Sequence, residues 1–157
     1  MNEPAFVPCR VAHWASAAPD GIALRREAIE ITWAEWHGLI GHLEKQLRAA
    51  GAARGTRVGL IMPAGEHLLS TLLALYRIGA VACPVNPQFP SDYREGLLAD
   101  LDCALVIGEE QEGDLYPKSP APQATAPVWH IDQPATIIFT SGSTGQPRAS
   151  KNSRRSQ

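Results

Sequence analysis

The clearest pattern of apolar and polar positions lies between residues 32 and 51. Apolar side chains recur there at spacings of three and four, which gives a helix one apolar face; they are Trp36, Leu39, Ile40, Leu43 and Leu47. Thr32 and Glu35 fit a capping box, in which a hydroxyl and a carboxylate bind amides that the first helical turn leaves free. Gly51 is placed to end the helix in a left-handed conformation. The pattern predicts an amphipathic helix between Thr32 and Gly51.

Short apolar runs and helical patterns alternate after this helix. The runs predict strands at Arg57–Met62, Val81–Val85 and Cys103–Ile107. The intervening patterns predict one helix at Glu66–Ile78 and a second that Ser91 caps and that continues to about Leu101. Strands that alternate with helices through short connections pair in parallel by right-handed crossovers. We therefore expect an α/β fold with a mostly parallel sheet and packed helices.

Weaker patterns lie on either side of this region. Before it, Val11–Ala17 predicts a short helix, and Ile22–Arg26 with Glu30–Thr32 predicts a two-stranded hairpin. After it, residues 108–127 carry four acids and four prolines. Because prolines at that density remove amide donors and favour extended backbone, we expect this stretch to be a surface connection.

Composition and charge fit one soluble domain. The chain has 157 residues, of which 45% are apolar and 19% charged, and its formal net charge is −2. This small charge does not suggest nucleic acid or an acidic membrane surface as a partner. The last ten residues, however, hold four basic residues, no acid and no apolar side chain larger than alanine. We therefore expect residues 1–148 to form one domain and residues 149–157 to be an unstructured basic tail.

The positions of the cysteines and histidines indicate the cellular compartment and whether a metal site is expected. Cys9, Cys83 and Cys103 are widely spaced and form no C-x-x-C pair, so we expect free thiols in a reducing compartment. The first twenty residues contain an acid and prolines rather than a continuous apolar segment, and the longest apolar runs are too short to span a membrane. The five histidines lack the spacing of metal ligands. The sequence thus predicts a cytoplasmic protein without a metal site.

The densest functional chemistry follows two strands predicted at Val128–Ile131 and Ala135–Phe139. Residues 140–148 read Thr-Ser-Gly-Ser-Thr-Gly-Gln-Pro-Arg. Glycines let backbone amides converge on an anion, and the hydroxyl groups can donate to phosphate oxygens. Arg148 adds a permanent positive charge that can bind phosphate in bidentate fashion. Composition alone favours a flexible turn, because Ser, Thr and Gly cluster in loops; the order of the residues favours a phosphate-binding loop.

The sequence contains neither a Walker A nor a G-x-G-x-x-G pattern. The order of residues 140–148 instead resembles the phosphate-binding signature of the adenylate-forming superfamily. That superfamily includes acyl-CoA ligases and peptide-synthetase adenylation domains. Ile31–Glu35 and Leu72–Pro90 are also similar to family segments, so the likeness runs from Val11 to Arg148. Pro84–Pro90 most resembles bacterial o-succinylbenzoate–CoA ligases of menaquinone synthesis. The resemblance implies that ATP phosphates are bound by Thr140, Ser141, Gly142, Ser143, Thr144, Gly145 and Arg148.

The resemblance implies an AMP-forming carboxylate–CoA ligase that uses ATP with Mg²⁺ and takes CoA as co-substrate. In that reaction a carboxylate attacks the α-phosphate, pyrophosphate leaves, and the CoA thiol then displaces AMP. Arg148 and Ala149 stand where the family signature usually has Lys and Gly. No catalytic residue is assigned, because the motifs that follow the loop in this family have no counterpart here. We expect an N-terminal portion of the ligase domain, truncated after the loop and inactive alone.

Two alternatives stay open at this point. One is a non-catalytic remnant that associates through uncovered apolar surface, since the predicted helix is apolar on both faces over Leu68–Tyr76. The other is an unrelated phosphate-binding module, which would require compact folding and nucleotide affinity. Within the ligase interpretation, a fatty-acyl or an aryl carboxylate substrate is an alternative to o-succinylbenzoate.

Overall fold

The computed structural model describes residues 6–26, 29–108, 128–130, 134–141 and 147–153. Four helices lie in these ranges: α1 (Arg10–Ala17), α2 (Trp33–Ala49), α3 (Glu66–Ile78) and α4 (Ser91–Asp100). The strands are β1 (Phe6–Pro8), β2 (Ile22–Arg26), β3 (Ile29–Thr32), β4 (Arg57–Ile61), β5 (Val81–Pro84), β6 (Leu105–Gly108), β7 (Val128–His130), β8 (Pro134–Ser141) and β9 (Pro147–Ser153).

A five-stranded sheet organises the fold, with the strand order β6-β4-β5-β8-β9. The first four strands are parallel, and β9 pairs antiparallel with β8. β5 and β6 lie on opposite sides of β4 in the sheet. Because α3 connects β4 to β5 and α4 connects β5 to β6, right-handed crossovers place these two helices on opposite faces of the sheet. The prediction of an α/β fold with a mostly parallel sheet is confirmed.

Two small antiparallel sheets accompany the main one. β2 and β3 form the predicted hairpin, with a register shift between Ile22 and Leu24. β1 pairs with β7, so a strand near the amino end of the chain meets one that comes more than a hundred residues later. This pairing was not predicted, because no local pattern links segments so far apart in sequence.

The amphipathic helix α2 begins and ends where the sequence indicates. The Glu35 amide donates to Thr32 Oγ1 at 3.2 Å, and the Thr32 amide donates to Glu35 Oε2 at 2.9 Å, which is the predicted capping box. Hydrogen bonds from the backbone and side chain of Thr32 lower the pKa of Glu35. At the other end Gly51 has a φ of 101°, and the Ala52 amide returns to the Leu47 carbonyl at 2.9 Å.

The main core lies between the sheet and the pair α2 and α3. Val58 and Leu60 of β4 are fully buried there with Ile40, Leu43 and Leu75. Gly59, between them, faces the other side, where an added Cβ would overlap Leu98 Cδ2 of α4. The alternation along β4 thus separates the two helical layers.

The helix α3 is covered less completely than its sequence suggests. The sequence shows two apolar faces over Leu68–Tyr76. Leu68, Leu72 and Leu73 are half-buried against the main core, whereas Leu69 keeps 38% of its surface exposed. The helix ends at Ile78, as predicted, and is followed by Gly79, which adopts a left-handed φ of 84° and donates to the Leu75 carbonyl.

Two of the boundaries that differ from the predictions lie around α4. Ser91 is the first residue of α4 and not its cap: Pro90 occupies the cap position, and Ser91 Oγ instead donates to Asp92 Oδ1. Proline before a first helical residue fits because its fixed φ suits the chain entering a helix. β6 begins at Leu105, since residues 101–104 form a turn in which Asp102 has a φ of 50°.

The largest correction concerns the basic segment after the loop. Residues 149–153 were predicted to belong to an unstructured tail, but they form most of β9, paired with β8 from Pro134 to Ser141. Backbone pairing with the neighbouring strand does not require apolar side chains, and closing a short loop costs little entropy. Polar and basic residues are also common on edge strands. The rest of the predicted tail, 154–157, and the predicted connection at 109–127 lie outside the described residues.

Candidate functional site

The predicted phosphate-binding residues lie at the end of β8 and the beginning of β9. Thr140 and Ser141 close β8, and Arg148 is the second residue of β9. The register places Thr140 directly opposite Arg148 and Ser141 opposite Pro147. Directly opposed residues of an antiparallel pair have Cα atoms about 4.5–5.5 Å apart. Gly142, Ser143, Thr144 and Gly145 fall in the connection between the strands, outside the described residues.

The parallel sheet determines where the carboxyl end of β8 lies. Because β8 is parallel to β4, β5 and β6, its carboxyl end is at the same edge as theirs. Ligands of open α/β sheets bind outside the carboxyl ends of the strands. The Val85–Pro90 segment leaves β5 at that edge too, and its turn is closed by the Gln88 amide donating to Asn86 Oδ1 at 2.9 Å. The end of β8 and the beginning of β9 are therefore in the position that ligand sites occupy in folds of this class.

Residues near the amino end of β8 contact α3 and β5. Thr136 pairs with Ala82 of β5 in the parallel register. Its Oγ1 also forms a hydrogen bond with Tyr76 Oη of α3, and both side chains are buried. On the other face Ile137 packs in a buried cluster with Val81, Cys83 and Leu101. These contacts orient the strand four residues before Thr140, at the start of the candidate loop.

The chemistry of the donor set fits a polyanion. Thr140 and Ser141 bring hydroxyl groups, and the opposed Arg148 brings a guanidinium, which binds phosphate oxygens in bidentate fashion. A magnesium ion would arrive with the nucleotide, because Mg²⁺ in such sites is held largely by substrate phosphates. Within the ranges that the structure covers, no three His, Cys, Asp or Glu side chains are grouped to bind a metal.

Other residues weighed from the sequence have structural contacts. Trp14 stacks on Trp33 with ring centroids 6.1 Å apart, and Trp33 contacts Trp36 at 5.9 Å. The buried Trp36 indole donates to Ser70 Oγ at 2.9 Å. These contacts show that the three tryptophans serve packing. In the covered ranges, no helix combines the length and apolar character needed to cross a bilayer.

Two features of the site region were missed by sequence reasoning. The Tyr76–Thr136 hydrogen bond joins residues 60 positions apart, and no local pattern marks such a pair. Cys83 and Cys103, which were treated as separate free thiols, share one packed region: Cys103 lies against the buried cluster that contains Cys83. A cue for the second feature existed, because each cysteine lies in or next to a strand predicted to belong to one parallel sheet.

Residues 11–150 match the family model described as AMP-binding enzyme. A probable non-canonical nonribosomal peptide synthetase, CymA of Salinispora arenicola, is 32% identical over 146 residues, covering 93% of this chain and 2% of that protein. The structure is similar to the N-terminal subdomain of Klebsiella oxytoca NpsA in complex with anthranilyl-AMSN, with a TM-score of 0.80, 27% identity, and coverage of 92% of this chain and 40% of that one.

A variant of E. coli MenE with bound OSB-AMS is a third similar protein, with a TM-score of 0.77 and 25% identity. The match covers 98% of this chain and 36% of the MenE chain. The chain therefore spans less than half the length of each of these proteins. Agreement over almost the whole of this chain places its elements, from α1 to β9, in the order found in the solved structures.

Proposed function

Because the chain belongs to the AMP-binding enzyme family, we propose that its β8–β9 hairpin binds the β- and γ-phosphates of ATP in an adenylate-forming ligase. The binding residues of this proposal are Thr140, Ser141, Gly142, Ser143, Thr144, Gly145 and Arg148. The observation that carries it is the register of the hairpin, which puts Thr140 opposite Arg148 at the carboxyl edge of the parallel sheet. Hydroxyl donors and a fixed cation thereby start from adjacent backbone positions.

The residues of the hairpin act by positioning and by charge. Hydroxyl and amide groups donate to the terminal phosphate oxygens and hold the α-phosphate where a carboxylate can approach it. Arg148 offsets the negative charge that grows on pyrophosphate as it leaves. Bound Mg²⁺ supplies further charge neutralisation on the same phosphates. The carboxylate displaces pyrophosphate and forms an acyl adenylate, the intermediate that defines this reaction class.

The finer assignment is an acid–thiol ligase that uses CoA and acts in the cytoplasm on small carboxylates. The similarity to E. coli MenE, which carries OSB-AMS, supports o-succinylbenzoate as the carboxylate. The Pro84–Pro90 segment supports it too: it follows β5 at the same sheet edge and resembles this subfamily in sequence. An aryl or fatty-acyl carboxylate would use the same phosphate site.

A second candidate is activation of an amino acid for nonribosomal peptide synthesis. It is favoured by the 32% identity to CymA over 93% of this chain. The two candidates share the phosphate site and differ in the acid that attacks ATP. A panel of non-hydrolysable acyl- and aminoacyl-adenylate analogues in a thermal-shift assay separates them, because an analogue that binds raises the melting temperature of the chain.

Nucleotide titration of the full chain tests the phosphate site. We expect ATP with Mg²⁺ to bind in calorimetry and tripolyphosphate to compete with it. Arg148→Ala removes a charge-assisted contact of about 1.5–3 kcal/mol and should weaken binding about tenfold to a hundredfold. Arg148→Lys should restore part of the affinity. The matched control is Lys151→Ala, three positions along the same strand and opposite Ile137. Equal losses in Arg148→Ala and Lys151→Ala would refute a specific site.

The chain alone should bind ATP without completing the reaction. It covers 36–40% of the similar adenylate-forming structures, so more than half of the length of those proteins has no counterpart in it. We expect no ATP–pyrophosphate exchange above background with o-succinylbenzoate or with any amino acid. Exchange by the purified chain would contradict this expectation and would identify the substrate class at once.

A further inference from the structure

Cys9 and Arg77 meet where the segment that follows β1 reaches the end of α3. Cys9 lies between β1 and α1, and 2% of its surface is exposed. Arg77 lies in the last turn of α3, with 8% of its surface exposed. Arg77 Nη2 donates to Cys9 Sγ at 3.4 Å, which joins residues 68 positions apart in sequence. A guanidinium that is more than nine-tenths buried is thus directed at a thiol.

The buried guanidinium has no counter-charge among the residues that the structure describes. The ion pairs found there use Arg25, Arg26 and Arg48, and Arg77 Nε is buried without a hydrogen-bond partner. An arginine side chain stays protonated in proteins, and a buried charge without a partner is costly. The carbonyls at the end of α3 offer only partial negative charge. An anion brought to this place would therefore be bound favourably.

The segment that carries Cys9 is held by a short strand pairing. β1 pairs with β7 over three residues, Phe6–Pro8 with Val128–His130, and β7 lies next to α3. A two-stranded sheet is marginally stable by itself, so we expect this pairing to open while the main sheet stays closed. The opening can end at Val11, which is buried in the main core. It would give solvent access to the Cys9 sulfur and the Arg77 guanidinium together.

We propose that Cys9 is a modification site for small disulfides that carry a carboxylate, and that Arg77 binds the carboxylate. In the open form the Cys9 thiol gives its proton to water, and its sulfur attacks one sulfur of the disulfide. The S–S bond of the small disulfide breaks as a new S–S bond forms to Cys9. The other half leaves as a thiolate and takes up a proton, so Cys9 is oxidised and the leaving half is reduced. Oxidised glutathione belongs to this class of compound. The attached carboxylate supplies the counter-charge for Arg77.

The site lies at the opposite edge of the sheet from the candidate phosphate site. α3 connects the carboxyl end of β4 to the amino end of β5, so Arg77 in its last turn is at the amino edge. Thiol modification and nucleotide titration therefore succeed or fail separately. The other two cysteines serve as internal comparisons: Cys83 is fully buried, with its Sγ donating to the Val81 carbonyl at 3.8 Å, and Cys103 is half-buried.

Two disulfide reagents of different charge test the proposal on the full chain. 5,5′-Dithiobis(2-nitrobenzoate) carries two carboxylates, whereas 4,4′-dithiodipyridine is uncharged at neutral pH. Trypsin separates the three cysteines into residues 1–10, 78–94 and 95–118, so mass spectrometry gives the rate at each. The ratio of anionic to neutral rates at Cys9 should exceed that of a synthetic peptide of residues 1–10 by about tenfold or more. The peptide has the same Cys9 and Arg10, so equal ratios would overturn the proposal.

Two variants assign the effect to Arg77. Arg77→Met keeps much of the side-chain length without the charge and should lower the ratio to that of the peptide. The matched control is Arg10→Gln, which removes an exposed cation next to Cys9 and should change the ratio little. An equal loss in both variants would overturn the proposal. If Arg77→Met does not fold, the comparison of the unaltered chain with the peptide still decides.

Urea separates local opening from unfolding of the whole chain. At concentrations below the unfolding transition, the rate of Cys9 modification should depend only weakly on urea, because a short strand pairing exposes little surface when it opens. A urea dependence equal to that of global unfolding would show that Cys9 reacts only in the unfolded chain, and this would overturn the proposal.

Discussion

The hydrogen bond between Tyr76 and Thr136 gives the sharpest test of how the fold positions the candidate loop. Both side chains are buried, with 8% and 3% of their surfaces exposed. Tyr76→Phe removes the phenolic hydroxyl and leaves Thr136 Oγ1 without this partner in a place that water does not reach. A buried polar group that loses its partner costs about 1–3 kcal/mol. We therefore expect Tyr76→Phe to lower the free energy of unfolding by about 1–2 kcal/mol.

The second arm of the test is Thr136→Val, which replaces the hydroxyl by a methyl group of similar size. Alone it should cost about 1–2 kcal/mol, because the Tyr76 hydroxyl then loses this partner. The double variant leaves neither half of the pair unsatisfied, so it should be less destabilised than the sum by about 1 kcal/mol or more. Urea unfolding followed by far-ultraviolet circular dichroism measures all four chains.

The control for the aromatic change is Tyr93→Phe. Tyr93 is 39% exposed and contacts Phe89 edge-on at 5.2 Å, so losing its hydroxyl should alter stability by less than about 0.5 kcal/mol. The reasoning would be refuted if the two buried substitutions added to within about 0.3 kcal/mol, the value for independent sites. It would be refuted equally if Tyr93→Phe cost as much as Tyr76→Phe.

Two further tests address the helix ends. Gly79→Ala should lower the free energy of unfolding in urea by about 1–2 kcal/mol, because alanine is strained at φ 84°. Gly96→Ala in α4 should raise it by about 0.5–1 kcal/mol, because an added Cβ there meets open space. Changes of the same sign at both sites would contradict the reasoning. Thr32→Ala should cost about 1 kcal/mol through the lost cap. Folding lowers the pKa of Glu35. The ionised Glu35 side chain therefore stabilises the fold at pH values above its unfolded-state pKa, and this stabilisation is lost as pH falls through its folded-state pKa. The free energy of unfolding should consequently decline less steeply with acid in Glu35→Gln than in the unaltered chain.

The sequence predicted best where the signal is local. The capping box at Thr32, the end of α3 at Ile78 and the period of α2 depend on neighbours within one or two turns, and all are confirmed. The parallel sheet also followed from sequence, because alternation with short connections leaves few topologies. β9 was missed, because its residues carry no apolar signal and its pairing depends on the adjacent β8.

The candidate site stays a prediction from the sequence, to which the structure adds part of the geometry. The order of residues from Thr140 to Arg148 predicted the loop, whereas the opposition of Thr140 and Arg148 required the strand register. A tertiary contact such as that of Tyr76 with Thr136 depends on how a helix packs across a sheet. Such a contact leaves no trace in the spacing of residues along a chain.

The way in which β8 joins the sheet bears on local opening near the candidate loop. In the part of the chain that the structure describes, Thr136 near the amino end of β8 is registered with Ala82 of β5, while β9 pairs with β8 from Pro134 to Ser141. We therefore expect backbone amides toward the carboxyl end of β8 to exchange with deuterium before those of the buried part of α3. Under the proposed function, exchange of a nucleotide would then require opening only at this end of the sheet.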